Sequence, residues 1–145
     1  MIDNILSTIK IDLVNYIHTH IIHVSKSIAL HKRLQKFIAA MSIKYGLESV
    51  LEYEINTSGY HKFIDVVWIG ENGRIVLAIE IDSSFKKGSL IKLNAIEAEH
   101  KIWVLYCTDI YKNKYDELMN TYNKENKIEV IYLGPIRKHL KDYFN

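Results

Sequence analysis

The chain of 145 residues has one cysteine, Cys107, and one proline, Pro135. It also lacks any apolar run approaching the ~18–20 residues that a membrane-spanning helix needs. A lone cysteine excludes an internal disulfide framework and any multi-cysteine zinc site. Its setting, KIWVLYCT, reads as a buried thiol in a strand. The start of the chain has neither the basic flank nor the apolar core of a signal peptide, because Asp3, Asn4, Lys10 and Asp12 interrupt it. A cytoplasmic location is therefore expected. Charge of one sign is lacking too: a net charge of +2 permits nucleic acid as a partner without arguing for it. Internal repeats, low-complexity stretches and linkers are absent. What is present, nearly half apolar and a quarter charged residues, is ordinary for a soluble globular protein. The length suits one domain able to bury a core.

Ile2, Ile5, Leu6, Ile9, Leu13, Ile17 and Ile21 recur at three- and four-residue spacing, which predicts an amphipathic helix. His18, His20 and His23 cluster near its end. No acid or cysteine lies nearby to complete a four-ligand zinc site, so they read as surface or half-buried histidines. A second helix is expected from about Ser25 or Ser27, with Ile28, Leu30, Leu34, Phe37, Ile38 and Met41 as its apolar set and Gly46 as its stop. Lys32, Arg33 and Lys36 give it a basic face, either solvated or available to phosphate. From Val50 to Asn56 the period becomes two, with Glu52 and Glu54 on one face and Leu51, Tyr53 and Ile55 on the other. Ser58-Gly59 reads as a turn. After a central hairpin come a helix over 87–98, a buried strand over 100–108, a polar helix over 111–126 and a strand over 128–133. Gly134-Pro135 ends that strand, and 136–144 reads as a short closing helix. The order α-α-β-β-β-α-β-α-β-α implies an α/β fold with a mixed sheet flanked by helices.

The hairpin carries the chemistry. Phe63 to Asp82, FIDVVWIGENGRIVLAIEID, is apolar on both faces around Asn72-Gly73, the pair that best tolerates the positive φ of a tight hairpin turn. A two-residue loop there sets Leu77 opposite Trp68, Ala78 opposite Val67 and Glu80 opposite Asp65. Opposed residues share a face with Cβ atoms ~4.5–5.5 Å apart. Two carboxylates so placed repel each other unless a cation sits between them, and a divalent metal is the natural candidate.

A helix, three strands bearing Asp65 in FIDVVW and Glu80 in AIEID, a helix and a further strand resemble the core of the PD-(D/E)XK nuclease superfamily. That group includes restriction endonucleases, Holliday-junction resolvases and mismatch-repair nicking enzymes. The resemblance covers roughly residues 25–108. It implies a restriction endonuclease-like αβββαβ core within a single domain, with residues 1–24 as an N-terminal helical extension, 25–134 as the core and 135–145 as a C-terminal helix. It implies a nuclease that hydrolyses DNA phosphodiester bonds with Mg²⁺ or Mn²⁺, RNA remaining open as a substrate. Asp65 and Glu80 would bind the ion, with the Ile81 carbonyl as a further ligand. Oxygen donors suit those ions. A homodimer or a protein partner is compatible with a nuclease of this size.

The sequence departs from the family at the lysine. The usual pattern is Glu-x-Lys, and here it is Glu80-Ile81-Asp82. Period two turns Asp82 to the side of Glu80, as a possible third metal ligand. Lys92 or Lys87, on the following helix, would then assist the water, Lys92 from the more rigid position. Each residue also has a plainer reading. Asp65 could pair with Arg74, Lys62 or a helix amide; Glu80 could be a strand-end surface carboxylate; Asp82 could lead a helix or turn; Lys86, Lys87 and Lys92 could be solvated. Two rival functions follow: a catalytically degenerate relative that binds nucleic acid or protein without cutting, and an assembly protein whose first helix packs on a partner.

Overall fold

The computed structural model describes residues 4–19, 27–57, 60–106 and 112–134. The predicted Ser58-Gly59 turn, His20, His23, Cys107 and the closing helix over 136–144 lie outside these residues. Among the described residues, four helices, α1 (Ile5–Thr19), α2 (Ser27–Met41), α3 (Lys87–Ala95) and α4 (Lys112–Tyr122), accompany five strands. These are β1 (Glu48–Thr57), β2 (Tyr60–Ile69), β3 (Ile75–Asp82), β4 (His100–Leu105) and β5 (Ile128–Tyr132). They form one sheet in the order β1-β2-β3-β4-β5. The first three run antiparallel as a meander, and β3, β4 and β5 are parallel. Parallel neighbours need crossovers, which α3 and α4 supply. The architecture is thus α/β, a five-stranded mixed sheet flanked by helices. Among the described residues no helix is long and apolar enough to cross a membrane.

Each sheet face has its own apolar core. On one, Ile9, Leu13, Leu34 and Ile38 of α1 and α2 meet Val66, Trp68, Leu77, Ile79 and Ile81. On the other, Leu90 and Leu93 of α3 and Leu118 and Met119 of α4 meet Ile64, Val67, Ala78 and Trp103. The apolar stripe of α1, Ile5, Ile9, Leu13 and Ile17, is buried in the chain's own core. That stripe is therefore not free for a partner, which counts against the assembly reading. After α2 the chain tightens through a 3₁₀ turn over Ser42–Tyr45 and stops at Gly46, which adopts φ 68° and donates its N–H to the Ile43 carbonyl. The residue expected to end the helix does so by the left-handed conformation glycine tolerates.

The central hairpin keeps the expected register in its middle, with Val67 opposite Ala78 and Trp68 opposite Leu77. Its turn is longer than two residues. Glu71–Gly73 form a 3₁₀ turn with positive φ at Asn72 and Gly73, Gly70 N–H donates to the Arg74 carbonyl, and a bulge beside Trp68 and Ile69 absorbs the offset. At the other end the β2–β3 ladder stops at Val66 opposite Ile79, one pair short of Asp65 and Glu80.

Candidate functional site

The strands β2 and β3 part at Asp65, and the parting makes the site. In place of a β2 carbonyl, the Ile81 N–H donates to Asp65 Oδ2 at 2.8 Å. The N–H and C=O of one strand residue point the same way, so the Ile81 carbonyl also turns toward this gap. A second irregularity lies beside it. Glu52 of β1 has φ 51°, and the pair Glu52–Asp65 is missing from an otherwise continuous β1–β2 ladder. The alternation slips there. Val66, opposite Leu51, packs toward α2, yet Tyr53, Ile55 and Ile64 pack toward α3. Leu51 therefore does not share a face with Tyr53 and Ile55, contrary to the strict alternation expected of VLEYEIN. A non-glycine residue at positive φ is a recognised way to re-aim side chains beside a site.

Asp65 and Glu80 do meet. Each carboxyl perturbs the ionisation of the other. They meet through the gap rather than side by side on one face: Asp65 takes its other side-chain partner from α2, and Glu80 takes its own from α3. His31 Nε2 of α2 lies 3.4 Å from Asp65 Oδ1. Lys92 Nζ of α3 lies 2.6 Å from Glu80 Oε1 and donates to the Phe63 carbonyl at 2.9 Å. The lysine's approach to Oε1 is a charge contact outside hydrogen-bond geometry, and this buried oxygen has no hydrogen-bond partner. Gln35 braces the α2 side, its Nε2 donating to the Asp65 carbonyl at 2.8 Å and to Glu52 Oε1 at 3.0 Å.

The protonation states follow from this packing. Burial, reinforced by the neighbouring Asp65 charge, pushes the Glu80 carboxyl up from 4.5 to about 9, against the pull of Lys92. Burial also pushes Asp65 up. The hydrogen bonds from His31, Glu80 and the Ile81 N–H outweigh it and hold Asp65 below its ordinary value. His31 is raised, chiefly by its hydrogen bond to Asp65 and despite the opposing effect of burial. At neutral pH the pair therefore shares one proton, kept on Glu80.

Of the other expected site residues, Asp82 stands apart. Its Oδ2 accepts from Ser89 Oγ and, at 2.7 Å, from Trp103 Nε1, while Lys86 Nζ lies 4.0 Å from Oδ1. These bonds tie the end of β3 to the first turn of α3 through Ser89 and to β4 through Trp103. Lys87 is exposed at the start of α3 and is not brought to the carboxylates by any contact. Sequence reasoning did not single out His31 or Gln35. The available signal was their one-turn spacing beside the apolar stripe Leu30, Leu34 and Ile38, which puts two polar side chains against the sheet.

Among the described residues no group of three or more His, Cys, Asp and Glu side chains is arranged to hold a metal. Comparison with protein-family models, with curated proteins and with solved structures finds no match. The chemistry of the site therefore rests on its own geometry.

Proposed function

We propose that the protein is a metal-dependent nuclease that hydrolyses DNA phosphodiester bonds, built on a restriction endonuclease-like αβββαβ core of the PD-(D/E)XK type. The observation that carries this reading is the convergence of Asp65, Glu80 and Lys92 where β2 and β3 part. Two acids sharing a proton beside a held ammonium are expensive to keep in a core without a use. The order of α2, the three-stranded meander, α3 and β4 supports the fold.

The residues fit one Mg²⁺ or Mn²⁺. Such an ion takes one or two carboxylates and fills its remaining positions with water and substrate phosphate, so a cage of three side chains is not required. Glu80 Oε1 is buried and already draws one cation, the Lys92 ammonium at 2.6 Å, and an ion would be held at this same oxygen. Asp65, Glu80 and the Ile81 carbonyl would hold it; Asp82, engaged by Ser89 and Trp103, is the weakest candidate among the proposed ligands. When bound, a divalent ion lowers the pKa of water and neutralises charge developing on a scissile phosphate.

The chain's own groups do the rest. Glu80 gives up its proton when a cation takes that place, and His31 and the Ile81 N–H keep the Asp65 carboxylate fixed. Lys92, tethered by the Phe63 carbonyl, orients the attacking water or stabilises the phosphate charge, the part that the missing Glu-x-Lys lysine would play. Lys32, Arg33 and Lys36 on α2 and Lys86 and Lys87 at α3 are exposed cations available to the DNA backbone.

The test is cleavage of supercoiled and branched DNA with Mg²⁺ or Mn²⁺ by wild type, Asp65→Asn and Glu80→Gln. Metal-dependent cutting by wild type is expected, with a loss of at least about a thousandfold in each variant. Absence of cutting by the wild type, with no Mn²⁺ binding, would leave the alternative of a degenerate nuclease fold kept for binding nucleic acid or protein.

A further inference from the structure

The β1–β2 hairpin outruns the rest of the sheet. β2 pairs with β1 from Tyr60 to Ile69, Asp65 excepted, but with β3 only from Val66 to Ile69. The stretch Tyr53 to Asn56 against His61 to Ile64 is thus a two-stranded ribbon reaching beyond Asp65. One face of it is occupied, since Tyr53, Ile55 and Ile64 pack into the α3 core. The other face carries Phe63, directly opposite Glu54, and Glu54 in turn contacts His61. Phe63 is 46% exposed and belongs to neither apolar core. It stands two residues from Asp65, and its carbonyl holds Lys92 Nζ at 2.9 Å. The backbone beneath this ring is therefore tied to the lysine that touches Glu80.

We propose that Phe63 is a stacking platform for an unpaired base beside the scissile phosphate, so that the substrate is single-stranded, frayed or branched DNA rather than continuous duplex. The chemistry in this inference rests on the nuclease reading of the Asp65–Glu80 pair. A base inside a duplex has both faces covered by its neighbours, and only an unpaired base has a face to offer a ring. The charge pattern agrees. Glu54 stands directly opposite Phe63 and Glu52 two residues before it on β1, and both repel phosphate, whereas the exposed cations Lys32, on α2, and Lys86 and Lys87, at the start of α3, lie off the ribbon. A single strand can turn its phosphates to the helices and its bases to the ribbon. A duplex would lay its second backbone over the two glutamates.

The experiment measures binding by the full chain, in EDTA, of a short oligonucleotide carrying 2-aminopurine, as a single strand and as the matched duplex. Wild type, Phe63→Ala and Phe63→Tyr are compared, and thermal unfolding checks that each is folded. The expected result is single-strand binding about tenfold tighter than duplex binding, with stacking-induced quenching of the probe. Phe63→Ala weakens single-strand binding about tenfold, the loss of one base stack, and Phe63→Tyr retains it. Equal or tighter duplex binding, unchanged single-strand binding by Phe63→Ala, or no single-strand binding would each overturn the proposal. Parallel incubations with Mg²⁺ separate the two ideas. Phe63-dependent single-strand binding without cleavage would remove the nuclease and leave the platform standing.

Discussion

Glu80→Gln is expected to make the protein more stable at neutral pH, by about 2–3 kcal/mol, while abolishing metal-dependent cleavage. The native state keeps a proton on Glu80 up to about pH 9, whereas a free glutamate loses it near 4.5. Between those values the unfolded chain binds fewer protons than the native one, so raising the pH favours unfolding. Wild-type stability from this group is therefore fully present below about pH 4.5 and declines toward pH 9. Glutamine is neutral throughout and escapes the decline. The gap between the variant and the wild type is small at pH 5 and widens toward pH 9, as urea unfolding at a series of pH values would record. Asp65→Asn moves the other way. Asp65 sits below its ordinary value, its carboxylate accepts from the Ile81 N–H at 2.8 Å, and its loss leaves that N–H and His31 poorly partnered. A fold that gains stability when one acid is neutralised has kept that acid for a purpose other than stability. A pH-independent Glu80→Gln difference would show that Glu80 is ionised in the native state and that the shared proton is absent.

Lys92→Met is expected to lower cleavage by about a hundredfold to a thousandfold, the range for losing one fixed charge-stabilising donor, with DNA affinity little changed. Methionine keeps the apolar stem and removes only the ammonium. The lysine is confined, at 22% side-chain exposure, between Glu80 Oε1 and the Phe63 carbonyl. Lys87→Ala, altering an exposed residue at the helix start, is expected to stay within a few-fold of wild type, as befits a solvated surface charge. A second readout separates a catalytic lysine from one that merely fills space. Lys92 opposes the rise of the Glu80 carboxyl, so its removal moves the acid limb of the pH–rate profile to higher pH. Cleavage by Lys92→Met at the wild-type rate would remove the lysine from the mechanism.

Much of the fold follows from local chemistry. Asn72 and Gly73 adopt the positive φ that both residues tolerate, and the neighbouring bulge restores the pairing of Trp68 with Leu77. Leu90 and Leu93, set by helical spacing, are buried against the sheet, whereas α3 ends at Ala95, short of the expected 98, and Ile96 is buried from an extended position just past it. What lay beyond the sequence is how the ends of strands separate. Strict period two put Asp65 and Glu80 side by side as ladder partners and Asp82 with them. Instead the ladder stops early, Glu52 takes a positive φ, and Trp103 and Ser89 claim Asp82. These outcomes depend on α2 and on β4, distant in sequence, and no local pattern records which polar atoms they bring. The roles of His31 and Gln35 were hidden for the same reason. Their partners are Asp65 and Glu52, and only the packing of a helix across the sheet joins them.

Calorimetric titration with Mn²⁺ tests the central claim most directly, using wild type, Asp65→Asn and Glu80→Gln near pH 7 in two buffers of different ionisation enthalpy. Wild type is expected to bind and to release about one proton, the one held on Glu80, with affinity rising about tenfold per pH unit below the Glu80 pKa. Neither variant is expected to bind. No binding by the wild type, or binding that survives both substitutions, would contradict the account.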